Sequence, residues 1–131
     1  MDSRSYAQEW FEIAKSDIET AQFLLKMRPK PNEIIAYHCQ QAAEKHMKGF
    51  LVLHEQKPPR THDLAALNEK CSTIDPRFTE IYEACLELTE YAVDVRYPGH
   101  IDLQDHDVDQ ALKHSKRICS FIERLTSTWS G

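Results

Sequence analysis

The stretch from residue 32 to residue 54 constrains the fold more than any other part of the chain. Read at 100° per residue, it separates into an inward-facing arc and a polar stripe, as an amphipathic helix does. The inward arc consists of Ile35, Cys39, Ala42, Ala43, His46, Phe50 and Leu53, and the polar stripe of His38, Gln41, Lys45 and Lys48. A helix of ~22 residues spans ~33 Å, about the width of a small domain. We therefore predict that this segment is the central helix of a bundle, with Asn32 as its N-cap.

The remaining segments also carry apolar residues at helical spacing, and strand-like alternation is never sustained. The chain has only three glycines, which argues against a turn-rich all-β fold. Short connections between helices favour antiparallel neighbours. The sequence therefore predicts a single all-α domain over residues 1–131, an up-and-down four-helix bundle with one additional short helix. The long helices are predicted to begin near Ser5, Asn32, Pro76 and Asp107, and the short helix at Thr61 or Asp63.

Charge and composition exclude several classes of function. The formal net charge is −5, so the surface as a whole does not attract nucleic acid, although a local basic patch is compatible with it. No apolar run approaches the ~18–20 residues of a membrane span, and no signal peptide is recognisable at the N-terminus. The four cysteines lack CxxC spacing, which favours a reduced, cytoplasmic protein without membrane contact.

The histidines do not form a recognisable metal motif. Four of them recur every eight residues, at His38, His46, His54 and His62, but a step of eight rotates a helix by ~80°, so they share no face. The chain contains neither HExxH nor Cys/His pairs at zinc-finger spacing. We therefore expect no metal and no cofactor.

Arg96 is the most informative single residue. It continues the apolar stripe of the helix that begins at Pro76, and an unpaired buried guanidinium is very costly. One interpretation is structural: Arg96 neutralises the end of its helix or pairs with Asp17 or Glu44. The other is functional, because a guanidinium presents planar donors that suit a phosphate.

Two further sets of residues are compatible with phosphate chemistry. His100 follows Arg96 closely, and such a pair can support metal-independent RNA cleavage, with histidine moving the proton and arginine stabilising charge at phosphorus. His38, Lys45 and Lys48 of the polar stripe could contact phosphates. They are also explained by a solvated helix face with Glu44 and Lys48 as an i,i+4 pair.

Taken together, the pattern of residues resembles the HEPN domain, the higher eukaryote and prokaryote nucleotide-binding domain. The first helix carries Trp10, Ala14, Asp17, Ala21, Leu24 and Leu25 of this pattern. The second carries YHCQQAAEK at residues 37–45 and MKGFL at residues 47–51, followed by THDL at residues 61–64 and Arg96-Tyr97-Pro98. The combination is much more specific than any piece of it.

The resemblance implies an up-and-down bundle that commonly forms homodimers. It also implies that small stand-alone members of the family act as partners of minimal nucleotidyltransferases, often in toxin–antitoxin-like pairs. Other branches are metal-independent ribonucleases, in which four to six residues separate an arginine from a histidine and two copies face each other across a dimer. Here only Tyr97, Pro98 and Gly99 separate Arg96 from His100, so the chain is more similar to the nucleotidyltransferase-associated type.

We therefore expect a cytoplasmic, homodimeric protein that binds a nucleotide or RNA phosphate and acts with a minimal nucleotidyltransferase. Arg96 would be the main anion contact, Tyr97 would stack on a base or anchor the helix end, and His38, Lys45 and Lys48 would be weaker contacts. The alternative is a metal-independent ribonuclease toxin with Arg96 and His100 as catalytic residues. A third possibility is a pure dimerisation or interaction module.

Overall fold

The computed structural model describes residues 2–91, 98 and 102–127, and within these ranges the chain contains helices and no strand. Its elements are α1 (Ser3–Leu24), α2 (Asn32–Leu53), α3 (Leu64–Ile74), a 3-10 helix (Pro76–Ile81), α4 (Tyr82–Thr89) and α5 (Asp105–Ser127). The predicted all-α helical bundle is confirmed. The second helix is central, as predicted, since α1, α3, α4 and α5 all contact it.

Small residues explain how closely α1 approaches α2. Ala7, Ala14 and Ala21 lie two turns apart on one face of α1 and are fully buried. Gly49 of α2 meets the same helix: a Cβ added there would lie 2.5 Å from the Phe11 ring. The tight interface therefore needs a residue without a side chain at this point.

Three aromatic rings join the other elements at the centre of the core. The ring centroid of Phe78, in the 3-10 helix, lies 4.7 Å from that of Phe50 in α2 and 5.1 Å from that of Phe121 in α5. The Phe78–Phe121 pair is edge-to-face, a favoured arrangement of aromatic rings. All three rings are buried, so this cluster fixes α5 and the 3-10 helix against α2.

Both α1 and α2 begin close to the predicted residues, but their capping interactions differ from those expected. Asp2, not Ser5, caps α1, because its carboxylate accepts the backbone N–H of Ser5 at 2.8 Å. Asn32 is the first residue of α2 and makes no cap; its amide instead donates to the carbonyl of Leu103 at 3.0 Å. A long-range hydrogen bond that ties the start of α2 to the segment before α5 has therefore replaced the local one.

In the second half of the chain, some of the predicted helix starts and caps are confirmed and others are wrong. Asp63 caps α3, one of the two predicted choices, and Asp75 caps the segment that follows it. That segment begins as a 3-10 helix and becomes α-helical only at Tyr82, so the predicted continuous α-helix from Pro76 is wrong there. The last helix starts at Asp105 rather than Asp107; the Asp107 carboxylate accepts the backbone N–H of Gln104.

The cysteines form no disulfide and all four are buried. Cys39, predicted to face inward, and Cys85 are fully buried, and burial raises the pKa of each thiol to about 12. They act as small apolar core residues. Among the helices formed by the described residues, none is long and apolar enough to cross a lipid bilayer.

Candidate functional site

Two groups of charged side chains lie along α2. The first is centred on Asp17, which belongs to α1 and contacts two side chains of α2. The carboxylate of Asp17 lies 2.7 Å from Lys45 Nζ and 2.9 Å from His38 Nδ1. His38 and Lys45 are seven residues apart and therefore share one face of α2. Only 12% of the Asp17 side chain is exposed. Asp17 is thus a mostly buried anion that contacts one ammonium group, of Lys45, and one imidazole, of His38.

The second charged group is centred on Glu44, whose side chain is 5% exposed. Its carboxylate accepts from Lys48 Nζ at 3.1 Å and from His62 Nδ1 at 2.8 Å. The side-chain amides of Gln40 and Gln41 donate to the same carboxylate at 3.3 and 3.4 Å. Glu44 is therefore a buried charge with several donors around it, which is the condition under which burial of a carboxylate is tolerated.

The Glu44 group also holds the connection between α2 and α3. His62 lies in this connection, and its ring reaches Glu44 while its carbonyl accepts from Gln40 Nε2 at 2.8 Å. Two hydrogen bonds thus fix one residue of the connection to the middle of α2. The short segment THDL that forms part of the sequence resemblance contains this residue and the Asp63 cap of α3.

The polar stripe of α2 is not the solvated face that was one interpretation of it. Gln41 is 7% exposed and Lys48 is 8% exposed. The predicted Glu44–Lys48 pair is present, but it is a buried ion pair. The helical period alone could not distinguish these cases, because both place polar residues on one stripe. The burial depends on what the rest of the chain covers.

The pairing limits what the stripe can do chemically. Lys45 is neutralised by Asp17 and Lys48 by Glu44, so a phosphate at either ammonium would have to compete with a carboxylate already in contact. If His38 donates from Nδ1 to Asp17, its Nε2 keeps a lone pair and can accept a proton or a hydrogen bond. His38, Lys45 and Lys48 are therefore better suited to positioning other groups of a binding site than to supplying net positive charge.

The other predicted site residues lie outside the described part of the chain. Arg96, Tyr97 and His100 fall at positions 92–97 and 99–101, so their placement stays a prediction. Within the described ranges, no group of three or more His, Cys, Asp or Glu side chains is arranged to hold a metal ion.

The model of the HEPN domain matches residues 7–125 of the chain. The chain belongs to the HEPN domain family. A crystal structure of an archaeal HEPN homologue has the same fold, with a TM-score of 0.70 and 22% sequence identity over 91% of this chain and 96% of that one. No curated protein matches the sequence.

Part of the HEPN resemblance rests on residues that the structure brings together in the two charged groups. Asp17, the YHCQQAAEK run and His62 are distant in sequence, yet they meet along one flank of α2. Sequence reasoning identified His38, Lys45 and Lys48 but missed the central positions of Glu44 and His62. No periodicity could have found His62, because it lies in an irregular connection.

Proposed function

We propose that this HEPN protein binds a nucleotide or the phosphates of RNA and acts as the partner of a minimal nucleotidyltransferase in a toxin–antitoxin-like pair. It would do so as a cytoplasmic homodimer. Membership of a family that is often associated with nucleotides or RNA supports the proposal. The observation that carries it is the Asp17, His38 and Lys45 group, which places three ionisable side chains in contact at a partly exposed position.

The contribution of such a group to the stability of the fold does not by itself explain its presence. Charged side chains that lose most of their water contribute little net stability even when paired, and clusters of them occur at functional sites. In the proposal, Asp17 orients His38 and Lys45, and Glu44 orients Lys48. Arg96 would then supply the positive charge that the neutralised lysines lack, and Tyr97 would stack on the base.

A binding titration tests the proposed role of Arg96. Fluorescently labelled short RNA and nucleoside triphosphates are titrated with the wild-type protein, with Arg96→Ala and with Arg124→Ala, which removes an exposed arginine of α5. We expect Arg96→Ala to weaken binding by about tenfold or more, as loss of a charge-assisted hydrogen-bond donor does, and Arg124→Ala to bind as the wild type does. Equal affinities for the wild type and Arg96→Ala would remove Arg96 from the site.

The proposed partnership is tested separately. The product of the neighbouring reading frame, if it encodes a minimal nucleotidyltransferase, is co-expressed with this chain, and the complex is purified through a tag on one of them. We expect a stoichiometric complex and relief of growth inhibition when both are present. Failure to co-purify would contradict the partnership without affecting the nucleotide-binding test.

The Arg96 and His100 pair of the sequence is compatible with a second function, metal-independent RNA cleavage. Incubation of RNA with the protein in EDTA tests it. His100→Ala is the test variant, and His106→Ala, which changes an exposed histidine, is the control. Cleavage in EDTA that His100→Ala abolishes and His106→Ala preserves would replace the binding proposal with a ribonuclease. Neither binding nor cleavage would leave a dimerisation or interaction module.

A further inference from the structure

A cleft of about 520 Å³ lies between α1 and α5 and is lined by none of the residues of the two charged groups. Phe11, Glu12 and Lys15 line it from α1, Cys119 and Glu123 line it from α5, and His46 lines it from α2. Sites for small molecules in proteins usually have volumes of this size. The proposed nucleotide site does not involve any of these six residues.

The most unusual member of the cleft is His46. It is 5% exposed, and its ring lies against that of Phe11, with a centroid distance of 5.5 Å and an angle of 27° between the planes. Its Nδ1 is buried without a hydrogen-bond partner of normal geometry among the described residues. A buried imidazole with an unsatisfied nitrogen is uncommon and calls for a physical reason.

The charge state of His46 determines whether its ring offers a hydrogen-bond donor or an acceptor to a ligand in the cleft. Burial lowers the pKa of His46 to about 4, although the Ala42 carbonyl one turn earlier partly offsets this effect. The ring is therefore neutral near pH 7 and carries one proton. We assign this proton to Nδ1, since the Ala42 carbonyl is the backbone acceptor next to the ring, and the lone pair to Nε2.

That lone pair faces a carboxylate. His46 Nε2 lies 3.7 Å from Glu123 Oε1, too far for a direct hydrogen bond. Two acceptors at this separation repel each other unless a group beside them donates an N–H or O–H to each. With Glu12 and Glu123 as anions and Lys15 as a cation, the cleft also carries an excess of negative charge.

We propose that the α1–α5 cleft binds a small organic cation with N–H donors, an alkylguanidinium or alkylammonium group, between His46 Nε2 and the Glu123 carboxylate. The cation would donate one hydrogen bond to each acceptor, and its alkyl part would lie against the Phe11 ring. Cys119 would take no charge, because burial raises the pKa of its thiol to about 12. The proposal does not depend on the nucleotide site.

Isothermal titration calorimetry of the full chain tests the proposal with three small-molecule probes and one peptide. Agmatine and putrescine carry N–H donors, whereas tetramethylammonium carries the same type of charge without them. We expect saturable binding of agmatine or putrescine and none of tetramethylammonium. A short acetylated peptide with one internal arginine forms a fourth arm, which distinguishes a free small molecule from the side chain of a protein as the source of the cation.

Variants identify the acceptors. Glu123→Gln removes the charge from an exposed side chain, so it is not expected to disturb folding, and we expect agmatine affinity to fall about tenfold. Glu83→Gln, an exposed glutamate of α4 outside the cleft, is the matched control and should bind as the wild type does. His46→Phe keeps the aromatic ring and removes the nitrogen, and it should also weaken binding.

Imidazole ¹⁵N chemical shifts give a readout that is independent of the variants. We expect a neutral His46 protonated at Nδ1 in the free protein and a shift of the Nε2 resonance when agmatine binds. No saturable binding of agmatine, putrescine or the arginine peptide would overturn the proposal. Equal binding of agmatine and tetramethylammonium would overturn it too, because charge alone would then explain the result.

Discussion

Lys45 Nζ of α2 lies 2.7 Å from Asp17 Oδ2 of α1, so one ion pair joins the two most extensively packed helices of the bundle. The same carboxylate holds His38, two turns before Lys45. Asp17 therefore sets the position of two side chains that the sequence had already placed on one stripe, and its removal affects both of them.

Asp17→Asn should destabilise the protein by about 1–3 kcal/mol. The substitution keeps the shape of the side chain but leaves Lys45 partly buried without its anion, and such a loss costs more than loss of an exposed pair. Urea denaturation measures the change in the free energy of unfolding. Glu19→Gln, at an exposed position of the same helix, is the control and should change it little. An Asp17→Asn protein as stable as the control would show that the pair contributes nothing to the fold.

Gly49→Ala should also lower stability, although alanine favours helices over glycine by ~1 kcal/mol. The new Cβ would lie 2.5 Å from Phe11 Cε1 and 3.0 Å from Trp10 Cβ, and the second of these atoms cannot move without its helix. Overpacking of this kind costs ~1–3 kcal/mol. Thermal denaturation of Gly49→Ala, Phe11→Leu and the double variant tests the mechanism. We expect the double variant to be more stable than the sum of the single changes predicts, because leucine vacates the space; strict additivity would contradict the clash.

His46 should make stability depend on pH. Its pKa is about 4 in the folded protein, below the ordinary value of 6.5, so the unfolded chain binds more protons between these pH values. Stability is then lost as the pH falls from 6.5 towards 4, by an amount on the order of 3 kcal/mol. Urea denaturation across this range should show a smaller loss for His46→Leu than for the wild type. Substitution of the exposed His106 by alanine should leave the pH dependence as it is, and identical profiles for the wild type and His46→Leu would refute the assignment.

The four thiols should react slowly with a disulfide reagent in the folded protein. Burial raises the pKa of Cys39, Cys71, Cys85 and Cys119, so thiolate is scarce as well as inaccessible. We expect full reaction only in denaturant. If one thiol reacts first, it should be Cys119, because it lines the α1–α5 cleft, whereas the other three are fully buried. Rapid labelling of Cys39 in the native state would show that the core opens more easily than its packing suggests.

The sequence by itself determined the class of the fold and the identity of the central helix. The 3.6-residue period of residues 32–54 requires an inward face whatever surrounds it, and Ile35, Cys39, Ala43 and Phe50 are indeed buried. The scarcity of glycine and the short connections restricted the arrangement to a helical bundle, and the family followed from several short patterns in one order. These features are local or periodic, so a sequence displays them directly.

Only the tertiary structure decided which charges meet and which faces are covered. The spacing of His38, Lys45 and Lys48 is the same on a solvated helix and on a buried one, and only the fold brings Asp17 to Lys45 and buries the Glu44–Lys48 pair. Asn32 was available for a cap but bonds to Leu103, and His46 fits the inward arc but lines a cleft. The physical reason is that a polar group bonds to whatever the fold brings near, and long-range neighbours leave no period in the sequence.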